Sequence, residues 1–102
     1  MNAKLYRIVN NITIVAIKAL YSAEQLKTAS KVAFKPICEE VYDELLFNMQ
    51  NDCSVNMLCI RVIGIIACSC PSLSISFGAY EKAKIATKSR LLLLMKHHNG
   101  SV

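Results

Sequence analysis

Apolar residues spaced three and four apart run through the start of the chain, and that spacing limits its fold more than any other feature. Leu5, Ile8, Val9, Ile12, Val15, Ala16, Ala19 and Leu20 fall on one side of a helix, with Arg7, Asn10, Asn11 and Lys18 opposite. A hairpin turning at Asn10-Asn11 competes, because asparagine tolerates the left-handed backbone of such turns. The helical stripe accounts for more of the segment.

The next signals are also helical. Ser22 followed by Gln25 makes a capping box, and Tyr21 and Leu26 stand at the two positions of a hydrophobic staple. A helix is expected from Ser22 to about Lys35, stopping where Pro36 disfavours helical geometry in the residue before it. Pro36 then suits the first position of a new helix, with Glu39 and Glu40 in its opening turns near the positive end of the dipole. A kink in one longer helix is the other reading of Pro36. Ile37, Val41, Leu45 and Met49 give this helix an inward stripe, and the polar stretch 48–52 closes it.

Ser54 can cap a fourth element carrying Val55, Leu58, Cys59, Val62, Ile63 and Ile66 at helical spacing. This segment is apolar nearly all round, so it reads as a central, heavily buried element, and its β-branched residues leave a buried strand open. Beyond Cys70-Pro71-Ser72, Leu73, Ile75 and Phe77 alternate with Ser74 and Ser76 in a strand-like period of two. Gly78 interrupts the alternation, and a last helix is expected over about 79–98 with Gly100 beyond its end. The sum is an all-α fold, a small four- or five-helix bundle or short helical stack, occupying 1–102 as one compact domain. The alternative is α+β, with strands near 58–66 and 73–77.

Composition decides the class. Hydrophobic residues make up 54% of the chain and charged residues 19%, which excludes intrinsic disorder. A mean hydropathy of +0.37 raises the question of a membrane span, which needs ~20 predominantly apolar residues in a row. The best run, 55–70, contains Arg61 and ends at Pro71; the run 8–20 carries Asn10, Asn11 and Lys18. No membrane span is therefore expected. Lys4 and Arg7 precede an apolar run as in a signal peptide, but no small-residue cleavage pattern follows, so the expectation is an uncleaved, cytoplasmic protein. The five cysteines, Cys38, Cys53, Cys59, Cys68 and Cys70, cannot all pair and lie largely in apolar runs, as reduced packing residues do.

No constellation of catalytic residues emerges. His97 and His98 are adjacent, so on a helix they diverge by about a hundred degrees and cannot easily grip one metal. Cys68-Ser69-Cys70 offers one thiol pair where zinc wants four ligands and redox chemistry wants CxxC. A cysteine nucleophile paired with His98 and Asn99 has no local signature. Gly64, Gly78 and Gly100 are isolated, so no loop can cradle a phosphate, and the aromatic residues do not interleave with basic ones. No cofactor and no metal are expected.

Charge is distributed unevenly. Residues 1–35 hold Lys4, Arg7, Lys18, Lys27, Lys31 and Lys35 against Glu24, a balance of +5. Residues 36–60 hold Glu39, Glu40, Asp43, Glu44 and Asp52 with no cation, a balance of −5. Residues 61–102 hold Arg61, Lys82, Lys84, Lys88, Arg90 and Lys96 against Glu81, again +5. Lys27, Lys31 and Lys35 repeat every four residues and would form a ridge on the second helix; the acidic group would cluster on the outer face of the third. Both read equally as solvated faces.

The functional expectation is a non-catalytic module that binds a protein partner through Glu39, Glu40, Asp43, Glu44 and Asp52. Its most concrete form, by analogy of size and charge, is a small bacterial immunity or antitoxin-type protein that blocks a toxin's cationic site with carboxylates. The net charge of +5 weighs against a nuclease as that toxin. The alternative is a small nucleic-acid-binding regulator using the basic face of Lys27, Lys31, Lys35, Lys84, Lys88 and Arg90, with 79–96 as the recognition helix. An enzyme built on a Cys–His pair ranks third.

Overall fold

The opening stripe forms an unbroken helix, α1 (Ala3–Leu20), which removes the hairpin at Asn10-Asn11. Its buried side is turned slightly from the expected one: Val9, Ile12, Thr13, Ala16, Ile17 and Leu20 are covered, while Val15 and Ala19 sit at the boundary. Thr13 can face the core because its hydroxyl donates to the Val9 carbonyl one turn back at 2.9 Å, which satisfies that hydroxyl.

The computed structural model describes residues 3–28, 34–50 and 54–100, and the chain is all-α. Among the described residues there are five helices and no strand. The capping box forms as the sequence predicts: the Ser22 amide donates to Gln25 Oε1 at 2.9 Å, and the Gln25 amide donates to Ser22 Oγ at 3.2 Å. Both staple residues, Tyr21 and Leu26, pack into the core. The helix they start is described over Ala23–Thr28 as α2, and the rest of the expected span, 29–33, lies outside the described residues. Its successor α3 (Phe34–Gln50) begins two residues before Pro36, not at it. A proline within the first turn costs little there, because first-turn amides have no intrahelical acceptor to lose. Pro36 therefore marks the opening of a helix less sharply than its ring suggests. The same shift moves Glu39 and Glu40 out of the first turn, which contains no acidic residue.

In α4 (Val55–Ser69) the Ser54 hydroxyl accepts from the Met57 amide at 3.2 Å, capping the helix as expected. Its burial is one-sided. Leu58, Cys59, Val62, Ile63 and Ile66 face the core, while Met57 and Ile60 are 45% and 48% exposed. The proposed strand at 58–66 is thus helical: the spacing of the buried residues outweighs their β-branching. The stretch 73–77 does alternate, with Leu73 and Ile75 packed on the core and Ser74 and Ser76 exposed, but it has no neighbour to form a ladder. It is a connection. The Leu73 amide donates to Cys70 across the Pro71 turn, and Gln25 Nε2 reaches over to donate to the Ser74 carbonyl at 2.8 Å. One side chain thereby caps α2 and anchors the connection into the last helix.

That helix, α5 (Phe77–Gly100), starts two residues earlier than expected. Ser76 caps it, its hydroxyl accepting from the Ala79 amide at 3.1 Å and its carbonyl from the Tyr80 amide. The four long helices share one core. α5 packs most extensively on α1 and also on α4; α3 packs on the same two; α3 and α5 therefore take opposite corners of the bundle.

Candidate functional site

The corner occupied by α3 carries the acidic residues. Glu39, Glu40 and Asp43 are exposed and follow the three-four spacing that places them along one outward side. Phe47 continues that line one turn beyond Asp43 and is 64% exposed. The remaining members of the acidic group are elsewhere. Glu44 turns towards α4, where its Oε1 accepts from Arg61 Nη1 at 2.7 Å and from Asn48 Nδ2 at 3.1 Å. Asn48 is buried, and its amide also donates to the Glu44 carbonyl at 2.7 Å. Glu44 is thus a bridge between two helices and not part of the outward face. The arrangement also explains Arg61, the one charge inside the apolar run of α4: it reaches the edge of the bundle and is neutralised there. Asp52 lies outside the described residues.

The basic residues do not form the ridge that their four-residue repeat predicts. Lys27 is exposed on α2 and Lys35 on α3, so they belong to different helices, and Lys31 lies outside the described residues. On α5 the three candidate cations part company. Lys84 and Lys88 line an open groove with Asn56, Cys59, Ile60, Glu81 and Ile85, on the side of α4. Arg90 lines another with Ile8, Asn11, Ile12, Leu93 and Leu94, on the side of α1. Lys84 is further held by Glu81, 3.6 Å from its ammonium, and by the Tyr80 ring, whose centroid is 5.4 Å away. These three cations are therefore divided between two grooves, Lys84 and Lys88 beside α4 and Arg90 beside α1.

Viewed whole, the bundle is polarised. α1 and α5 carry Lys4, Arg7, Lys18, Lys82, Lys84, Lys88, Arg90 and Lys96 against Glu81, whereas α3 carries Glu39, Glu40, Asp43 and Glu44 against Lys35. The cations of α5 are thereby separated from the carboxylates of α3, whereas α1 packs on both helices and carries its cations between them.

Apolar exposure is the feature the charge pattern conceals. Phe77 is 80% exposed, Ile85 72%, Leu93 63% and Leu92 50%, all on α5. Phe77 lies at the mouth of an open groove of about 510 Å³ between α4 and α5, lined also by Ile60, Ile63, Gly64, Ala67, Ile75 and Tyr80. The sequence holds a signal for this. Leu91-Leu92-Leu93-Leu94 spans a full helical turn, so a helix with one buried face must send part of that run outward. Leu91 and Leu94 are buried; Leu92 and Leu93 are not.

The cysteines divide as packing residues do. Cys38, Cys59 and Cys70 are buried, and burial pushes all three thiols up from their ordinary value, at Cys59 in spite of the nearby Lys84 and Lys88. A buried thiol held protonated is a poor nucleophile. Cys68 is exposed, so the two thiols of the Cys68-Ser69-Cys70 pair point to different environments. Tyr21 lies beside Cys70; burial first, and then that thiol, push its hydroxyl up to about 12. The Tyr21 hydroxyl makes no hydrogen bond of ordinary geometry, for all its closeness to Cys70. The side chains of His97 and His98 lie outside the described ones, and among the described residues no three metal-ligating groups converge. Among the same residues no helix is long and apolar enough to cross a membrane. No protein family, curated protein or solved structure matches the chain.

Proposed function

We propose that the protein is a binding module that engages a protein partner through the outward face of α3, and that its most concrete form is an immunity or antitoxin-type protein neutralising a toxin domain. One observation carries this reading: Glu39, Glu40 and Asp43 are exposed in a line that ends on a largely exposed aromatic, Phe47. Carboxylates leading to an aromatic anchor suit a cationic site on another protein, since the charges steer approach and the ring supplies apolar area at one end of the line. Glu44 is engaged with Arg61 and takes no direct part. α3 does not pack on α5, so the carboxylates weigh most in the field at this face, while the net charge of +5 still counts against a nuclease as the toxin.

The test is affinity purification from the native cell followed by mass spectrometry, run in parallel with Glu39→Lys/Glu40→Lys/Asp43→Lys and with Phe47→Ala. A single protein captured by the wild type and lost in both variants supports the reading. Growth rescue by the wild type, but not the variants, in cells expressing that protein supports the immunity form. A partner retained by all three proteins sinks it. The alternative, a nucleic-acid-binding regulator, predicts retained nucleic acid whose salt dependence flattens when Lys88 and Arg90 become alanine. That reading requires cations which α5 directs to two different sides.

A further inference from the structure

The outward side of α5 joins two properties that a solvated helix face rarely combines, large exposed apolar side chains and dense positive charge. Ile85, Ser89, Leu92 and Lys96 succeed one another at steps of four, three and four residues, which places them in one line along the exposed side. Ile85 and Leu92 are 72% and 50% exposed in that line, and Phe77 at the start of the helix is 80% exposed. By helical geometry Lys82 and Lys88, both exposed, flank Ile85 on either side, and the one carboxylate of α5, Glu81 a turn before Ile85, is paired with Lys84 at 3.6 Å. Neighbouring α1 adds Lys4, Arg7 and Lys18, all exposed, with Ile14 among them at 44%. From Phe77 to Lys96 this face runs about 30 Å along α5.

We infer that this face docks the protein on an anionic lipid surface, α5 lying in the plane of the headgroups without crossing the bilayer. α5 as a whole is apolar on its buried side too, so only its exposed strip is available to lipid: there Ile85 and Leu92 can enter the boundary between headgroups and acyl chains while flanking lysines extend their ammonium groups to the phosphates. Three other occupants fit less well. A nucleic acid would use the cations but leave Ile85, Leu92 and Phe77 against a polar, hydrated backbone. A second copy meeting this face with its own would set lysine against lysine. An acidic protein groove would satisfy both properties, and the experiment separates it by composition. The carboxylates of α3 stand at the opposite corner, so they neither repel the lipid nor become buried by it. The inference is independent of the reading given to α3.

The test is co-sedimentation of the full chain with phosphatidylcholine vesicles, with and without phosphatidylglycerol, at low and high salt. The expected result is binding to the anionic vesicles only, weakened by salt. Lys88→Ala should reduce partitioning by roughly fivefold, the effect of one cation near such a surface. Ile85→Asp/Leu92→Asp should reduce it to the level of neutral vesicles, with circular dichroism confirming that these exposed changes leave the helices intact. Glu39→Gln/Glu40→Gln/Asp43→Asn should not reduce it, which keeps the outcome separate from the α3 reading. Absence of binding, or equal binding to neutral vesicles, overturns the inference. So does partitioning indifferent to Ile85→Asp/Leu92→Asp, particularly if duplex DNA or single-stranded RNA displaces the vesicles, because the face then serves nucleic acid. A change in sedimentation coefficient on Ile85→Asp/Leu92→Asp without any vesicle binding would assign the face to a second copy, and would also overturn it.

Discussion

α3 and α5 stand at opposite corners of one bundle and rest on the same two neighbours, yet they treat their outer sides in opposite ways. α3 is an amphipathic helix with Ile37, Val41 and Leu45 inside and Glu39, Glu40 and Asp43 outside, and two aromatics, Phe34 at its start and Phe47 near its end, break its polar surface. α5 has Ala83, Leu91 and Leu94 inside but also Ile85, Leu92 and Leu93 outside. The difference shows that apolar character in this chain is not a measure of burial. Identical residue types one position apart have different roles, decided by which side of the helix they occupy.

The largest effects should therefore separate neighbours within α5. Leu91 is fully buried and Leu92 is half exposed. Leu91→Ala removes a core side chain and leaves a cavity, and should lower unfolding stability by ~2–5 kcal/mol. Leu92→Ala should stay within about 0.5 kcal/mol of the wild type, as surface substitutions do. Urea unfolding followed by circular dichroism reads both. Equal losses at the two positions would mean that Leu92 is covered in solution, and the contrast between the corners would collapse.

This contrast also explains what the sequence disclosed and what it withheld. Ser22 with Gln25, and Ser54, declared their helices correctly, because a cap is a local bond among residues three apart. The all-α architecture was legible for a related reason, since each long helix carries a buried side at helical spacing. The start of α3 was not legible, because Pro36 is compatible with either the first position or the first turn of a helix. The segment 73–77 alternates in and out like a strand, but pairing depends on a partner strand, which periodicity within the segment cannot supply. For the site, the exposure of Glu39, Glu40 and Asp43 was readable from the stripe beside them. The departure of Glu44 was not, since it depends on Arg61, seventeen residues away on another helix. The outward leucines are legible in the uninterrupted run 91–94, because four successive apolar residues cannot all face one core.

An intermediate effect tests whether the outer side of α4 resembles that of α5. Gly64 sits exposed in the middle of α4, and a Cβ built there would meet nothing within 4 Å. Glycine in a helix interior costs about 1 kcal/mol relative to alanine, so Gly64→Ala should raise stability by about that amount. Gly78, also unobstructed, lies in the first turn of α5, where helical constraint is weaker, and Gly78→Ala should gain less. A thermal shift of the unfolding midpoint upward at both positions, larger at Gly64, is the expected result. A loss at Gly64 would mean that the outer side of α4 is packed closely against something in solution, and would move attention from α5 to the groove that Gly64 lines.

The smallest effect separates the carboxylates of α3 from one another. The Glu44–Arg61 pair is short at 2.7 Å, but the side chains retain 31% and 47% of their exposure, so solvent screens much of the attraction. Glu44→Gln should cost only ~0.2–1 kcal/mol at low salt, and less at high salt. Glu39→Gln, which lacks such a bridge, should cost nothing measurable. A double-mutant cycle with Arg61→Gln isolates the pair: its coupling energy should be positive for Glu44 and zero for Glu39. The sign of that difference matters more than its size. If Glu39 also couples to Arg61, the outward line on α3 is shorter than its spacing implies, and the acidic face would rest on Glu40 and Asp43 alone. If only Glu44 couples, Glu39, Glu40 and Asp43 stay available on the outward side of α3, which is the condition that the proposed acidic face requires.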